Sequence, residues 1–133
     1  GGTGGVVRAK LAGTGITTGG KTGTADRDGV QVYNADGTKK TVKKRKRNEA
    51  GEWVDYFEPV KTTRWDGWFL TIAPLENPQV AIAVVVEDIG ENAYGGTTAA
   101  PIAADVILKA MQLGLLGDQY RPKVQPTAPK RKR

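Results

Sequence analysis

The chain contains no cysteine, no histidine and no serine. Without Cys and His there is no disulfide, no thiolate nucleophile and none of the usual zinc ligands. Without Ser and His there is no Ser-His-Asp triad. Asp and Glu remain as ligands for a hard cation. No apolar run reaches the roughly eighteen residues that a membrane-spanning helix needs, and no signal-peptide pattern is present. Nor does the sequence open on Met. It begins Gly1-Gly2-Thr3-Gly4-Gly5, which reads as the interior of a longer protein.

What is there is globular in proportion. The 133 residues are 38% hydrophobic and 26% charged, enough for one small domain with a modest core. The net charge of +6 concentrates in Lys39 to Arg47 and in Lys130-Arg131-Lys132-Arg133. Such runs suit phosphate backbones or anionic membranes, but are more commonly a solvated loop and a frayed tail. Trp53, Tyr56 and Phe57 beside the first run match a base-stacking pattern. Clusters of this kind more commonly close a hairpin onto its own domain, so no nucleic-acid partner is expected.

The order of elements reads strand, excursion, strand, strand, helix. Residues 15–25 are dominated by Gly and Thr, giving a strand that something else must approach closely. Residues 26–63 read as a hairpin excursion, with Val30–Tyr33 paired to Lys39–Lys43 across Asn34-Ala35-Asp36-Gly37. A second turn at Asn48-Glu49-Ala50-Gly51 leads into Trp53–Phe57. Trp65–Ala73 is a strand ending at Pro74. The continuous apolar run Val80–Val86 suggests a central strand covered on both faces, antiparallel to its predecessor. A helix follows, capped by Thr97 or Thr98 with Pro101 in its first turn and Gly114 or Gly117 at its end. Ile102, Ala103, Val106, Ile107, Ala110 and Met111 form its core stripe. The expected fold is α+β, a helix lying on an antiparallel sheet over residues 1–118, with a disordered Pro- and Lys-rich tail over 119–133.

Two patterns compete for one lysine. Gly15-Ile16-Thr17-Thr18-Gly19-Gly20-Lys21-Thr22 satisfies the phosphate-loop pattern GxxxxGK[ST], and Val84-Val85-Val86-Glu87-Asp88 imitates the acidic strand end that holds magnesium. A phosphate loop requires a helix to start at the Lys-Thr. Gly23-Thr24-Ala25-Asp26-Arg27-Asp28-Gly29 holds two glycines and two aspartates within seven residues and no apolar stripe, so a strand is expected instead. The nucleotide-binding reading, and a non-catalytic basic binding module, stand as the alternatives.

As a strand, Gly20-Lys21-Thr22-Gly23-Thr24-Ala25 is the Lys-Thr-Gly element of penicillin-binding proteins and serine β-lactamases. Followed by Trp68-Phe69, Ala73-Pro74, Asn77-Pro78, Val80–Glu87, Gly95-Gly96 and Ala99-Ala100-Pro101-Ile102-Ala103, it resembles the end of class B penicillin-binding transpeptidases. Gly1-Gly2-Thr3-Gly4 is similar to the loop that precedes the Lys-Thr-Gly strand there. The resemblance implies a fragment of a larger transpeptidase domain that cross-links D-Ala-D-Ala stem peptides by serine acyl transfer and binds β-lactams. It implies no metal and no cofactor, and a parent anchored in the membrane with its catalytic domain outside the cytoplasm. Lys21 would support proton transfer and, with Thr22 and Thr24, hold the substrate carboxylate. Gly23 would leave room for the acylated serine, and the Thr24 backbone N–H would donate in the oxyanion hole. The motifs SxxK and SxN are missing, so the chain alone should be inactive and needs the remainder of the domain as partner. The family usually has an aromatic residue or His where this chain has Asp66-Gly67, a departure that bears on substrate preference.

Overall fold

In the computed structural model, which describes residues 4–121, the framework is a three-stranded antiparallel sheet in the order β1-β4-β5. Its strands are β1 (Gly19–Gln31), β4 (Lys61–Ala73) and β5 (Val80–Val86), and between β1 and β4 the chain forms a separate two-stranded sheet of β2 (Thr41–Arg47) and β3 (Trp53–Pro59). A short helix α1 (Gly5–Lys10) precedes β1, and the long helix α2 (Gly95–Gln112) follows β5. The expected α+β arrangement of helix on antiparallel sheet is the one found.

Alternation decides which side of the sheet meets the helices. Along β4, Gly67, Phe69, Thr71 and Ala73 are buried while Trp68 and Leu70 are exposed. Strand β5 continues this face with Val80, Ile82, Val84 and Val86, and turns Ala81, Ala83 and Val85 outward. The run Val80–Val86 is therefore an outer strand of the three, not a central one covered on both faces. Its alternation is invisible to hydropathy because the outward residues are themselves apolar.

Helix α2 packs an alanine face on the sheet. Ala99, Ala100, Ala103, Ala104, Ile107 and Ala110 are buried, whereas Ile102 and Val106 of the expected core stripe face outward. Small residues win the inner positions because the helix approaches the backbone of the strands. The first turn is capped by Tyr94: Thr97 and Thr98 each donate a hydroxyl hydrogen bond of 2.9 Å to its carbonyl. These threonines lie inside the helix instead of capping it, and Pro101 falls beyond the first turn. The far end closes as a Schellman motif, with Gly114 at φ +76°, Leu115 N–H on the Ala110 carbonyl and Gly114 N–H on that of Met111. Helix α1 buries Val7 and Leu11 in the same core and ties Lys10 to Asp105 at 2.7 Å.

The excursion begins later than residue 26. Residues 26–31 stay in the sheet, in register with Lys61 to Trp65 after a bulge at which Gly29 takes φ +71°. The turn at 34–37 forms as expected, with Tyr33 bridged to Lys39. The following residues then leave that pairing, and Thr41–Arg47 pairs instead with Trp53–Pro59. At the other end Asp118–Tyr120 forms a 3-10 turn with Tyr120 against the core, and residues 122–133 of the expected tail lie outside the described residues.

One contact sets how closely helix and sheet meet. A Cβ on Gly95 would lie 2.2 Å from the Trp68 carbonyl oxygen and 2.4 Å from that of Gly23. Both are backbone atoms that cannot rotate away. At an open helical site, glycine to alanine stabilises by about 1 kcal/mol. Here the overlap dominates, and Gly95→Ala is expected to destabilise by about 2 kcal/mol in urea unfolding. A stabilising change would disprove the close approach.

Candidate functional site

Strand β1 holds Lys21, Thr22, Gly23 and Thr24 in its first half, at one edge of the three-stranded sheet. Glycine is required just before them: a Cβ at Gly20 would lie 2.8 Å from the Leu70 carbonyl oxygen and 2.9 Å from the Phe69 ring. No helix starts at Lys21-Thr22, because the strand runs on to Gln31. Asp88, the acid of the apparent magnesium strand, pairs with Arg64. The phosphate-loop pattern is thus matched in letters and overturned by the backbone.

Cross-strand register fixes the faces. Thr22 stands opposite Phe69 and Thr24 opposite Gly67, so both lie on the side of the sheet that carries α2. Lys21 stands opposite Leu70 and Gly23 opposite Trp68, on the other side. Side chains from opposite faces of one strand converge only around its free edge. A ligand touching the lysine and both threonines must therefore lie along the edge of β1. The Lys21 ammonium already reaches over the backbone to donate to the Thr22 carbonyl at 2.9 Å.

The α2 N-terminus packs behind this strand. Gly95 presses on Gly23 and Trp68 from the helix side, and Gly67 lies beneath it, where a Cβ would meet Thr98 Oγ1 at 2.5 Å and Gly95 Cα at 3.1 Å. An aromatic residue at position 67 would not fit. On the lysine side an apolar groove of about 480 Å³ runs beside Lys21, lined by Gly19, Leu70, Ile72, Ala81 and Ala83. Among the described residues no three His, Cys, Asp or Glu side chains gather into a metal site.

Next along the strands lies a charge pair that sequence reading missed. Asp66, in register with Ala25, is only 6% exposed. It accepts from Arg27 at 2.6 and 2.9 Å and from the Asp88 backbone N–H at 3.0 Å. No local pattern announces this, since the partners are 39 and 22 residues away and meet only through strand register. The Arg27 hydrogen bond, then the Asp88 N–H, holds the Asp66 carboxyl below its ordinary range. A depressed folded-state pKa gives stability that is complete above the unfolded value of about 4 and disappears as pH falls through the folded value. The stability gap between wild type and Asp66→Asn should be open at pH 7 and narrow steadily below about pH 4. An unchanged gap across a urea-unfolding series from pH 7 to pH 3 would refute the pairing.

The comparisons with known proteins point to one family. The family described as "Penicillin binding protein transpeptidase domain" matches residues 1–108. A curated relative, the peptidoglycan D,D-transpeptidase PbpA of Mycolicibacterium smegmatis, is 45% identical over 49 residues, covering 35% of this chain and 10% of that protein. No solved structure matches. With a Lys-Thr-Gly edge strand, two antiparallel partners and a helix seated on them, and a family match across most of its length, the chain belongs to the penicillin-binding protein transpeptidase domain family.

Proposed function

We propose that this chain supplies the Lys-Thr-Gly wall of a D,D-transpeptidase cleft, in a protein that cross-links D-Ala-D-Ala stem peptides and is acylated by β-lactams. The observation that carries the reading is the placement of Lys21 to Thr24 on an edge strand, with the lysine and the threonines on opposite faces. A peptide added along that edge extends the sheet by main-chain pairing and brings its carboxylate between both sets of side chains.

Each residue then has a chemical task. The Lys21 charge stabilises the substrate carboxylate and the hydroxyl network that delivers a proton to the leaving group. Thr22 and Thr24 are hydroxyl donors on the helix side. The Thr24 backbone N–H is one of the two oxyanion donors, the other belonging to the nucleophilic serine. Gly23 keeps the strand free of a side chain beside the acyl group. This chain has no serine, so the nucleophile is contributed by residues outside it, in a protein anchored at the membrane with its cleft on the cell-wall side. Among the described residues no helix is long and apolar enough to cross a membrane.

Fluorescent-penicillin acylation of the protein that carries these residues tests the reading. Lys21→Ala should slow acylation by roughly 10²-fold or more, the usual effect of removing a transition-state electrostatic contact. Its thermal stability should be nearly unchanged, since the side chain is exposed. Acylation at the wild-type rate in a folded Lys21→Ala protein would reject the assignment.

A further inference from the structure

The β2–β3 ribbon takes no part in the cleft or the core. Every residue of β2 is exposed, and β3 buries none of its residues fully. At its root, backbone hydrogen bonds link Val32, Lys40 and Val60, and the Gln31 side-chain amide lies against the same three carbonyls at 2.6, 3.3 and 3.2 Å. Residues 39–59 hold seven cations against four carboxylates.

The register sorts these charges. Lys43, Arg45 and Arg47 stand opposite Phe57, Asp55 and Trp53, so all six share one face. Asp55 is the only carboxylate among them and is shared by Lys43 and Arg45 at 2.9 and 3.4 Å. Trp53 is 56% exposed and Phe57 67% exposed. One side of the ribbon therefore combines excess positive charge with two large rings that are each more than half exposed.

We propose that this face docks on an anionic phospholipid bilayer. Rings on a cationic surface suit the membrane interface, where the apolar body enters the headgroup boundary and the charges meet phosphate. An exposed two-stranded ribbon offers an extended surface and no enclosing cleft, which suits a bilayer. Single-stranded nucleic acid, the other polyanion that aromatic rings attract, needs an open ring face for stacking. Trp53 is already attended by two guanidinium groups, Arg45 at 5.6 Å and Arg47 at 5.1 Å from its centroid, which a base would have to displace. Insertion by the ring edge leaves both in place. The inference does not depend on the transpeptidase chemistry.

The test is co-sedimentation of the chain with vesicles of phosphatidylcholine alone and of phosphatidylcholine with phosphatidylglycerol, across a salt series. Binding is expected only with the anionic lipid and should weaken as salt rises. Arg45→Ala with Arg47→Ala should lower the partition coefficient roughly thirtyfold, from the usual gain per basic residue at such a surface. Trp53→Ala with Phe57→Ala should weaken binding at high salt as well, since ring insertion is not screened. Circular dichroism should be unchanged in both, because neither pair touches the core. The same charge removed by Lys130→Ala with Arg131→Ala should cost less. The proposal fails if the anionic vesicles are not bound, if the tail variant loses as much as the ribbon variant, or if polyuridylate is bound and vesicles are not.

Discussion

The close approach of the α2 N-terminus to the sheet is the constraint on which the rest of the domain depends. Gly95 sits against the carbonyl oxygens of Trp68 and Gly23, with Gly67 below it, so three glycines from three elements meet at one point. No side chain separates helix from strand there, and the next turns of α2 must follow the sheet at the same short distance. That is why Ala99, Ala100, Ala103 and Ala104 fill the interface while the larger Ile102 and Val106 are turned away. It also explains why position 67 cannot carry an aromatic residue, and why the segment around Gly23 is fixed from behind. The proposed cleft wall would need such rigidity, because electrostatic stabilisation works only when the donors do not have to reorganise.

Placing Lys21 to Thr24 on an edge strand has a second consequence. In the middle of a sheet, residues on opposite faces cannot serve one ligand. At an edge they can, and the Lys21 ammonium lying over the Thr22 carbonyl shows that the distance around the strand is short enough. Beyond Thr24 the strand is pinned by Arg27 and Asp66, and Asp66 in turn fixes the backbone of Asp88 after β5. The edge is thus held at one end by an ion pair and in the middle by glycine packing. Its outer face, with Trp68, Leu70 and Val85 exposed, adds apolar surface beside the lysine.

How much of this was legible in the residues follows from whether the signal was local. The turns at Asp36-Gly37 and Ala50-Gly51 and the strand end at Ala73-Pro74 rest on nearest-neighbour chemistry and appear where expected. So does the failure of the phosphate loop, since Gly and Asp after Thr22 deny it a helix. What could not be read depended on partners far away in sequence. The run Val80–Val86 looks central until its neighbour is known on one side only. The α2 stripe is misplaced because hydropathy ranks Ile above Ala, whereas a helix this close to a strand ranks them by size. The pairing of 41–47 with β3 instead of with 30–33 is a choice between two plausible hairpins, and the chain branches where Val32, Lys40 and Val60 bond to one another. Asp66 is the sharpest case, a charged residue between Trp65 and Gly67 whose role exists only through register.

The ribbon remains the one part whose composition the fold does not explain. A lone two-stranded sheet is marginal in water, and neighbouring like charges on one strand oppose each other. Lys43, Lys44, Arg45, Lys46 and Arg47 are consecutive, so β2 carries that repulsion along most of its length. Cross-strand pairs offset part of it: Lys43 and Arg45 with Asp55, Lys44 with Glu58, Lys46 over Tyr56. Such exposed pairs contribute little each, and among the described residues Arg47 is paired with the Trp53 ring. A sequence chosen for stability would alternate charge and shorten the loop. One that accumulates cations around two exposed rings instead accepts a weaker ribbon, and the physical return for that lies outside the chain, on a surface of opposite charge.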